Sequence, residues 1–270
     1  MTTDPVILEA KLSPSRAADF QRCPLLFRLR VIDQLPTAPS AAAVRGTLVH
    51  SVLEHLYDLP IHERTEVTAR DMVEPAWDLH LQRQPGDAVV VADGEREQWI
   101  ANAQNLIGTY FQMEDPQRLQ PAGREQFVQH TLPTGLSIRG FIDRLDVSPE
   151  GLVRIVDYKT GKSPNPRFEN SNLFQMRFYA LVLWRRDGTI PKQLKLLYLG
   201  DGRSVIDEPT SADLEAVEGR ILNLWDQITE AVRSQTFEPA PSRLCDWCDF
   251  QPLCPAFGGE PPALPMVQLA

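Results

Sequence analysis

The residues best suited to chemistry lie in two short segments near the middle of the chain. Asp143 stands in the run Gly140-Phe-Ile-Asp-Arg-Leu-Asp, and Asp157 opens the run Asp-Tyr-Lys that ends at Lys159. Residues two apart on a strand share a face, so Asp157 and Lys159 are expected on one side of a sheet. A hairpin joining the two strands would bring Asp143 beside them. Such carboxylates bind Mg²⁺ or Mn²⁺, and a neighbouring lysine can act on metal-activated water.

An Asp-x-Lys segment taken alone is more typical of a surface hairpin that carries a lysine–aspartate pair. Further polar residues accompany it on both sides along the chain. His50 follows Arg45-Gly46 by one turn of a predicted helix, and Gly46 is expected to allow a close backbone approach. Gln175 and Tyr179 are four residues apart, so they are expected on one face of a later helix.

Taken in order, these four motifs resemble the nuclease domain of the RecB family in the PD-(D/E)XK superfamily, which includes the CRISPR-associated Cas4 proteins and the AddB nuclease. The resemblance runs from about residue 12 to residue 257. It implies an α/β fold with a restriction-endonuclease-like core, in which helices flank a mixed central sheet. It also implies a metal-dependent DNA nuclease, of exonuclease type, in DNA repair or recombination. The implied substrate is single-stranded or end-containing duplex DNA, with a helicase as a candidate partner.

The resemblance assigns catalytic roles to the matched residues. His50, Asp143 and Asp157 are expected to bind Mg²⁺ or Mn²⁺, together with the backbone carbonyl of Tyr158. Lys159 is expected to act on the attacking water. No matched position departs from the family pattern, so an active enzyme is expected. A DNA-binding scaffold without catalysis and an iron–sulfur redox protein are the alternatives.

Other polar residues around these segments receive supporting roles from the same resemblance. Gln175 and Tyr179 are expected to position the DNA or the catalytic lysine. Arg144 and Asp146 are expected to support the residues that contact the metal. Glu125 lies on the strand before the catalytic hairpin. It is equally consistent with a further acidic contributor to the site and with a plain surface glutamate.

The four cysteines form a second group of candidate ligands. Cys245, Cys248 and Cys254 form a compact run, and Cys23 is the only other cysteine. This spacing is compatible with zinc, an iron–sulfur cluster or a redox pair. A structural zinc site more often pairs two short cysteine knuckles, whereas Cys23 and Cys254 each precede proline, as in a bacterial ferredoxin motif. The iron–sulfur branch of the resembled family shares the one-plus-three division. A [4Fe–4S] cluster is therefore predicted, with Zn²⁺ as the alternative.

Hydrophobic periodicity predicts helices, then strands, then helices. The predicted helices cover residues 13–31, 41–57, 68–81, 95–114, 173–186 and 211–234. The predicted strands cover 125–132, 136–147 and 152–159 as an antiparallel meander, with another strand at 193–199. We predict one nuclease domain over 1–270, with the catalytic motifs in 41–199 and a cluster-bearing lobe made of 12–31 and 238–258. Trp247, Phe250 and Phe257 are equally consistent with residues that shield the cluster and with core residues.

Charge and hydropathy limit the partners and the compartment. The net charge of -9 counts mildly against nucleic acid as a partner, but a basic groove can lie on an acidic body. No secretory signal or membrane span is visible, so a cytoplasmic protein is expected. The candidate groove cations are Arg28, Arg30, Arg45, Lys162, Arg167, Arg185 and Arg186.

Overall fold

A computed structural model describes residues 5–164 and 170–270. The strands are β1 (Val6–Leu8), β2 (Lys11–Leu12), β3 (Gly123–Thr131), β4 (Ser137–Val147), β5 (Val153–Lys159), β6 (Gln193–Tyr198), β7 (Arg203–Asp207) and β8 (Val267–Leu269). The α-helices are α1 (Pro14–Arg22), α2 (Pro24–Phe27), α3 (Ala41–Leu56), α4 (Glu66–Asp71), α5 (Val73–Arg83), α6 (Arg96–Met113), α7 (Asn170–Asp187) and α8 (Ser211–Ser234). Residue 167, one of the predicted groove cations, lies outside the described residues.

Six of these strands form one mixed sheet. Its order is β2-β4-β5-β6-β7, and β3 also pairs with β4. The predicted antiparallel meander of β3, β4 and β5 is confirmed. Strand β6 runs parallel to β5, because α7 carries the chain back across the sheet between them. Strand β7, which was not predicted, pairs antiparallel with β6 at the edge.

Helices cover both faces of the sheet, so that two separate hydrophobic cores form. Neighbouring residues on β5 point to opposite faces, and Ile155 therefore lies in the core with α1, α7 and α8. Val156 lies in the other core, with α3, α5 and α6. This is the expected α/β fold with a mixed sheet flanked by helices. None of the helices in the described ranges has the length and apolarity needed to span a membrane.

Strands β3 and β4 are distorted at the same level. Glu125 has a φ of 40°, which non-glycine residues rarely adopt. Residues two apart on a strand normally share a face, yet Ile142 lies in the first core while Arg144 donates to the hydroxyl of Tyr110 in the second. The alternation is thus broken at Asp143, and the ladder between β4 and β5 stops at Arg144. Strands β4 and β5 therefore separate at this point and form a fork that opens at Asp143.

The predicted first helix is interrupted in the structure. Ser13 caps its start by accepting a hydrogen bond from the Arg16 amide, and proline follows as predicted. The helix then breaks at Cys23, which is extended with φ -167° and ψ 115°. Pro24 explains the break, because proline disfavours a helical conformation in the residue before it. The predicted helix over 68–81 is likewise two helices, α4 and α5, divided at Met72.

The proline-rich tail after α8 packs against the first thirty or so residues of the chain. Strand β8 pairs in parallel with β1, and the Arg28 guanidinium donates to the carbonyl of Pro262. Phe250 is buried with Leu25, Leu26 and Leu29. Trp247 and Phe257 are 76% and 49% exposed, so neither is a core residue.

Candidate active site

The fork between β4 and β5 brings together residues from three elements. The Tyr158 amide on β5 donates to Asp143 Oδ2 on β4 at 2.8 Å. His50 on α3 lies on the other side of the same peptide, with Nε2 2.9 Å from the Tyr158 carbonyl oxygen. Because a carbonyl oxygen only accepts, Nε2 carries the proton. His50 Nδ1 then faces Asp143 Oδ2 and Glu125 Oε1, each at 3.6 Å.

These contacts create one group of side chains able to hold a cation. Single ligand atoms of His50, Glu125 and Asp143 all lie within 4.8 Å of one another. Donor atoms around a hexacoordinate Mg²⁺ stand roughly 3 to 4 Å apart, because each lies about 2.1 Å from the ion. One imidazole and two carboxylates therefore fit a divalent cation in both spacing and chemistry. Glu125, left undecided by the sequence, belongs to this group, and the distorted backbone of β3 directs it there.

The electrostatics of the group also suit a cation. Burial, followed by the charge of Asp157, raises the pKa of Asp143 to about 7. Burial acts to lower the pKa of His50, but Glu125 and Asp143 outweigh that effect and raise it to about 9. Asp143 and His50 thus retain protons near neutral pH. A divalent cation can replace those protons.

A second set of polar residues lies beside this group on the α7 side. Asp157 is only 2% exposed, and its Oδ2 is 2.7 Å from Lys159 Nζ. Gln175 joins the set, because its Oε1 accepts from Lys159 at 3.0 Å and its Nε2 donates to Asp157 Oδ1 at 3.1 Å. Asp157 is therefore held by Lys159 and Gln175 and lies outside the group within 4.8 Å. The carbonyl of Tyr158, an expected metal ligand, contacts His50 here.

The ring of Tyr179 packs directly against the backbone of Gly140. A Cβ at position 140 would lie 2.5 Å from Tyr179 Cε1, so only glycine lets the ring rest on β4. Burial raises the pKa of Tyr179 to about 12, and its hydroxyl accepts from Gln175 Nε2 at 3.2 Å. The tyrosine thus keeps its own proton available for donation. At Gly46 a Cβ would meet only Thr160 Oγ1, at an ordinary 3.5 Å, so the expected close approach there is wrong.

Arg144 supports the fork from behind. It is 1% exposed and forms ion pairs with Glu114 at 2.7 Å and Asp146 at 3.1 Å. It also donates to the hydroxyl of Tyr158 at 2.8 Å. The ring of Tyr158 is thereby anchored, and its backbone in turn holds His50 and Asp143. Two of these residues, Arg144 and Asp146, are those to which the sequence assigned a supporting role.

Most of the predicted groove cations are already engaged. Arg185 and Arg186 pair with Glu218 and Asp187, and Arg28 is buried against an aspartate. Arg30 pairs with Asp19, and Arg45 lies over the ring of Trp99. Two arginines that the sequence did not single out, Arg139 and Arg220, line a cavity that reaches Gln175 and Tyr179. Neither pairs with a carboxylate within the part of the chain that is described.

The four cysteines are free and line one cavity between the start of the chain and its tail. The amide of Ala240 lies 3.4 Å from Cys23 Sγ, and the amide of Ser242 lies 3.3 Å from Cys245 Sγ. In residues 5–164 and 170–270, no three cysteine sulfurs lie within 4.8 Å of one another. Zinc would place its sulfur ligands about 3.8 Å apart, since each Zn–S bond is about 2.3 Å. The sulfurs do not have that arrangement.

Comparisons with known proteins cover nearly the whole chain. The Gene 69 protein of Mycobacterium phage L5 is 25% identical over 297 residues, covering 94% of this chain and 99% of the phage protein. The Gene 69 protein of Mycobacterium phage D29 is 25% identical over 279 residues, covering 91% and 96%. A solved structure of a candidate exonuclease from Eubacterium rectale superposes with a TM-score of 0.59 and covers 88% of this chain and 87% of its own, at 15% identity. That likeness shows the fold alone.

The sequence pattern of one family matches the chain from its second strand to beyond the last cysteine. This pattern is that of the PD-(D/E)XK nuclease superfamily, and it matches residues 11–255. The match includes every residue placed at the fork between β4 and β5. The chain belongs to the PD-(D/E)XK nuclease superfamily.

Proposed function

We propose that this protein is a Mg²⁺- or Mn²⁺-dependent deoxyribonuclease of the RecB type, similar to the Cas4 and AddB nucleases. It hydrolyses phosphodiester bonds as an exonuclease in DNA repair or recombination, in the cytoplasm, with a helicase as a candidate partner. The observation that carries the proposal is the meeting of two sets of residues at one fork. His50, Glu125 and Asp143 could hold a cation, and Asp157, Lys159 and Gln175 lie beside them.

The chemistry divides between the two sets. A divalent cation bound by His50, Glu125 and Asp143 supplies Lewis acidity and lowers the pKa of a bound water. Lys159 holds the attacking water in position, since its side chain is 26% exposed and its ammonium group is hydrogen-bonded to Gln175. Asp157 holds that lysine in place through an ion pair of 2.7 Å. Lys159 also stabilises the negative charge that develops on the phosphate oxygens.

Tyr179 and Gln175 act on the lysine and on the substrate. Gln175 bridges Lys159, Asp157 and Tyr179, so it holds β5 against α7. Tyr179 stays protonated because of its raised pKa. Its hydroxyl can therefore donate to a phosphate oxygen of the substrate.

Cleavage of labelled DNA tests the proposal. The parent protein should cleave end-labelled linear DNA with Mg²⁺ or Mn²⁺ and stop with EDTA. Asp157→Ala and Lys159→Ala should abolish cleavage while the fold is retained, because Lys159 acts on the attacking water and Asp157 holds Lys159 in place. Glu208→Gln is the matched control, since Glu208 is an exposed carboxylate paired with Lys192 on the surface. Full cleavage by Asp157→Ala would place the active site elsewhere.

Substrate topology decides the exonuclease assignment. An exonuclease should degrade linear strands from an end and leave covalently closed circles of the same sequence intact. Cutting of closed circles at a comparable rate would make the enzyme an endonuclease. The two assays use one protein preparation, so inactive protein is recognised by its failure in both.

We also propose that residues 12–31 and 238–258 form a lobe that binds a [4Fe–4S] cluster through Cys23, Cys245, Cys248 and Cys254. The shared cavity and the two amides directed at sulfur support this proposal. Iron and zinc analysis of anaerobically purified protein tests it, and stoichiometric zinc without iron would contradict it.

A further inference from the structure

A stretch of the catalytic strand β4 lacks a partner strand on one side. In the described part of the chain, β2 pairs with β4 only up to Ile138, and β5 pairs with it only from Arg144 onward. Between these points β4 has β3 as its neighbour along one edge. The gap left on the other edge opens directly beside Gln175 and Tyr179.

Two phenylalanines lie exposed at this gap. Phe127 on β3 and Phe141 on β4 are register partners, and their ring centroids are 5.3 Å apart at an angle of 54°. They are 46% and 55% exposed. Cross-strand pairing of aromatic rings contributes to sheet stability, but it does not require that both rings face water. Exposed aromatic surface of this extent next to an active site suits a ligand with a flat apolar face.

The two rings line a cavity of about 860 Å³ together with Gln175 and Tyr179. This volume lies within the range of about 300–1,000 Å³ that is typical of small-ligand sites. Because Gln175 also contacts Lys159 and Asp157, a molecule in the cavity lies next to the hydrolytic residues. The cavity is therefore an extension of the candidate active site.

Positive charge accompanies the aromatic surface. Arg139 and Arg220 line the same cavity, and the Arg220 guanidinium lies over the ring of Phe174 at 4.8 Å from its centroid. Within the described ranges, neither arginine forms a salt bridge, in contrast to Arg185 and Arg186, although the charge of Arg139 contributes to lowering the pKa of Glu9. Aromatic rings beside arginines that form no salt bridge are the combination that binds the bases and phosphates of single-stranded nucleic acid.

We propose that this cavity binds an unpaired nucleotide of single-stranded DNA, with its base stacked on Phe127 and Phe141 and its phosphates contacted by Arg139 and Arg220. The inference rests on the proposed nuclease function and adds to it the residues that contact an unpaired nucleotide. A base inside a duplex is already stacked and paired, so it enters the cavity only after unpairing. The site thus selects strands whose end is already single.

Equilibrium binding to single-stranded DNA with one base removed tests the stacking directly. Fluorescence anisotropy is measured in EDTA, which prevents cleavage, with oligonucleotides that carry one abasic position at each place in turn. The parent should bind about tenfold more weakly when the stacked base is missing, which corresponds to about 1.4 kcal/mol. Abasic positions elsewhere should have little effect. A flat profile across all positions overturns the inference and requires no variant.

A double variant identifies the stacking residues. Phe127→Leu with Phe141→Leu keeps apolar side chains in the sheet but removes both rings. It should bind intact DNA about tenfold more weakly than the parent, and it should lose the abasic effect. Val147→Ala is the matched control, because Val147 is an exposed apolar residue of the same strand outside this cavity. Retention of the full abasic effect in the double variant overturns the assignment to these rings.

Mn²⁺ binding separates failure of this site from failure of the proposed function. The two rings lie outside the group formed by His50, Glu125 and Asp143, so calorimetry should show the same Mn²⁺ affinity for the double variant and the parent. An equal loss of Mn²⁺ affinity and of DNA affinity would show that the rings support the fold, and it overturns the stacking role. If the parent cleaves no DNA but shows the abasic effect, the nuclease proposal fails while the binding site stands.

Discussion

A single methyl group added at Gly140 should displace the catalytic lysine, because the movement passes through two intervening side chains. In Gly140→Ala the new Cβ would lie 2.5 Å from Tyr179 Cε1. Carbon atoms prefer about 3.5–4.0 Å, so the ring must move by about 1 Å. Tyr179 is only 7% exposed and has little room to do so. Its hydroxyl is bonded to Gln175, which is bonded to Lys159, so the displacement extends to the site.

The expected magnitudes follow from this geometry. Overpacking of a buried contact costs about 1–3 kcal/mol, which for a chain of this size lowers Tm by about 2–6 °C. A displacement of about 1 Å near reacting groups can reduce the rate about a hundredfold. Thermal unfolding measures the first effect, and cleavage of end-labelled DNA with Mn²⁺ measures the second. Gly219→Ala is the control, since a Cβ on this residue of α8 meets no atom within 4 Å.

A double-mutant cycle shows whether the tyrosine ring is the cause. In a Tyr179→Ala background the ring is absent, so Gly140→Ala should change Tm by less than about 1 °C. The two substitutions should therefore be strongly non-additive in stability. The reasoning is refuted if Gly140→Ala lowers Tm equally with and without the ring, or if it leaves both Tm and cleavage at the parent's values.

Three further predictions concern other parts of the structure. Because metal binding must displace the protons held by His50 and Asp143, Mn²⁺ affinity should rise about tenfold per pH unit between pH 7 and 9 and more steeply below pH 7. Calorimetry in buffers of different ionisation enthalpy should detect the released protons, and a pH-independent affinity would contradict the group. Glu114→Gln removes a buried partner of Arg144, so it should cost about 3 kcal/mol and lower Tm by about 6 °C, whereas an unchanged Tm would mean that the pair is dispensable. Cys23→Ala should lose bound iron and the brown colour of a cluster. Proteases should then cleave the tail faster in the segment before β8, because β8 itself stays paired with β1. An unchanged iron content would exclude Cys23 as a ligand.

Local patterns predicted the catalytic strands and the long helix well. The strands β3, β4 and β5 alternate in polarity between turns that contain glycine, and these signals do not depend on distant residues. Helix α8 begins and ends where the periodicity predicts, because Thr210 and Asp213 form a capping box at its start. The short strands β1, β2, β7 and β8 were missed. They hold their conformation through pairing with distant segments, which periodicity within one segment does not reveal.

The candidate site was predictable in its residue types but not in its full membership. Asp143, Asp157 and Lys159 follow from motif spacing, whereas Glu125 depends on a backbone distortion that no local pattern shows. The same limit applies to charge. Sequence does not show that Arg185 is neutralised by a residue of another helix, while the arginines that line the cavity have no such partner in the described ranges.

The pairing of β1 with β8 has a consequence for the order in which parts of the protein can fold while the ribosome makes the chain. Cys23 and its flanking helices emerge first, and the strands and helices around the fork follow. Cys254 and β8 emerge only after all of these. Chains fold largely in the order of their synthesis, so the nuclease core can assemble while its first cysteine still lacks partners. The contact between the two segments can therefore form only after the strands and helices around the fork have been synthesised.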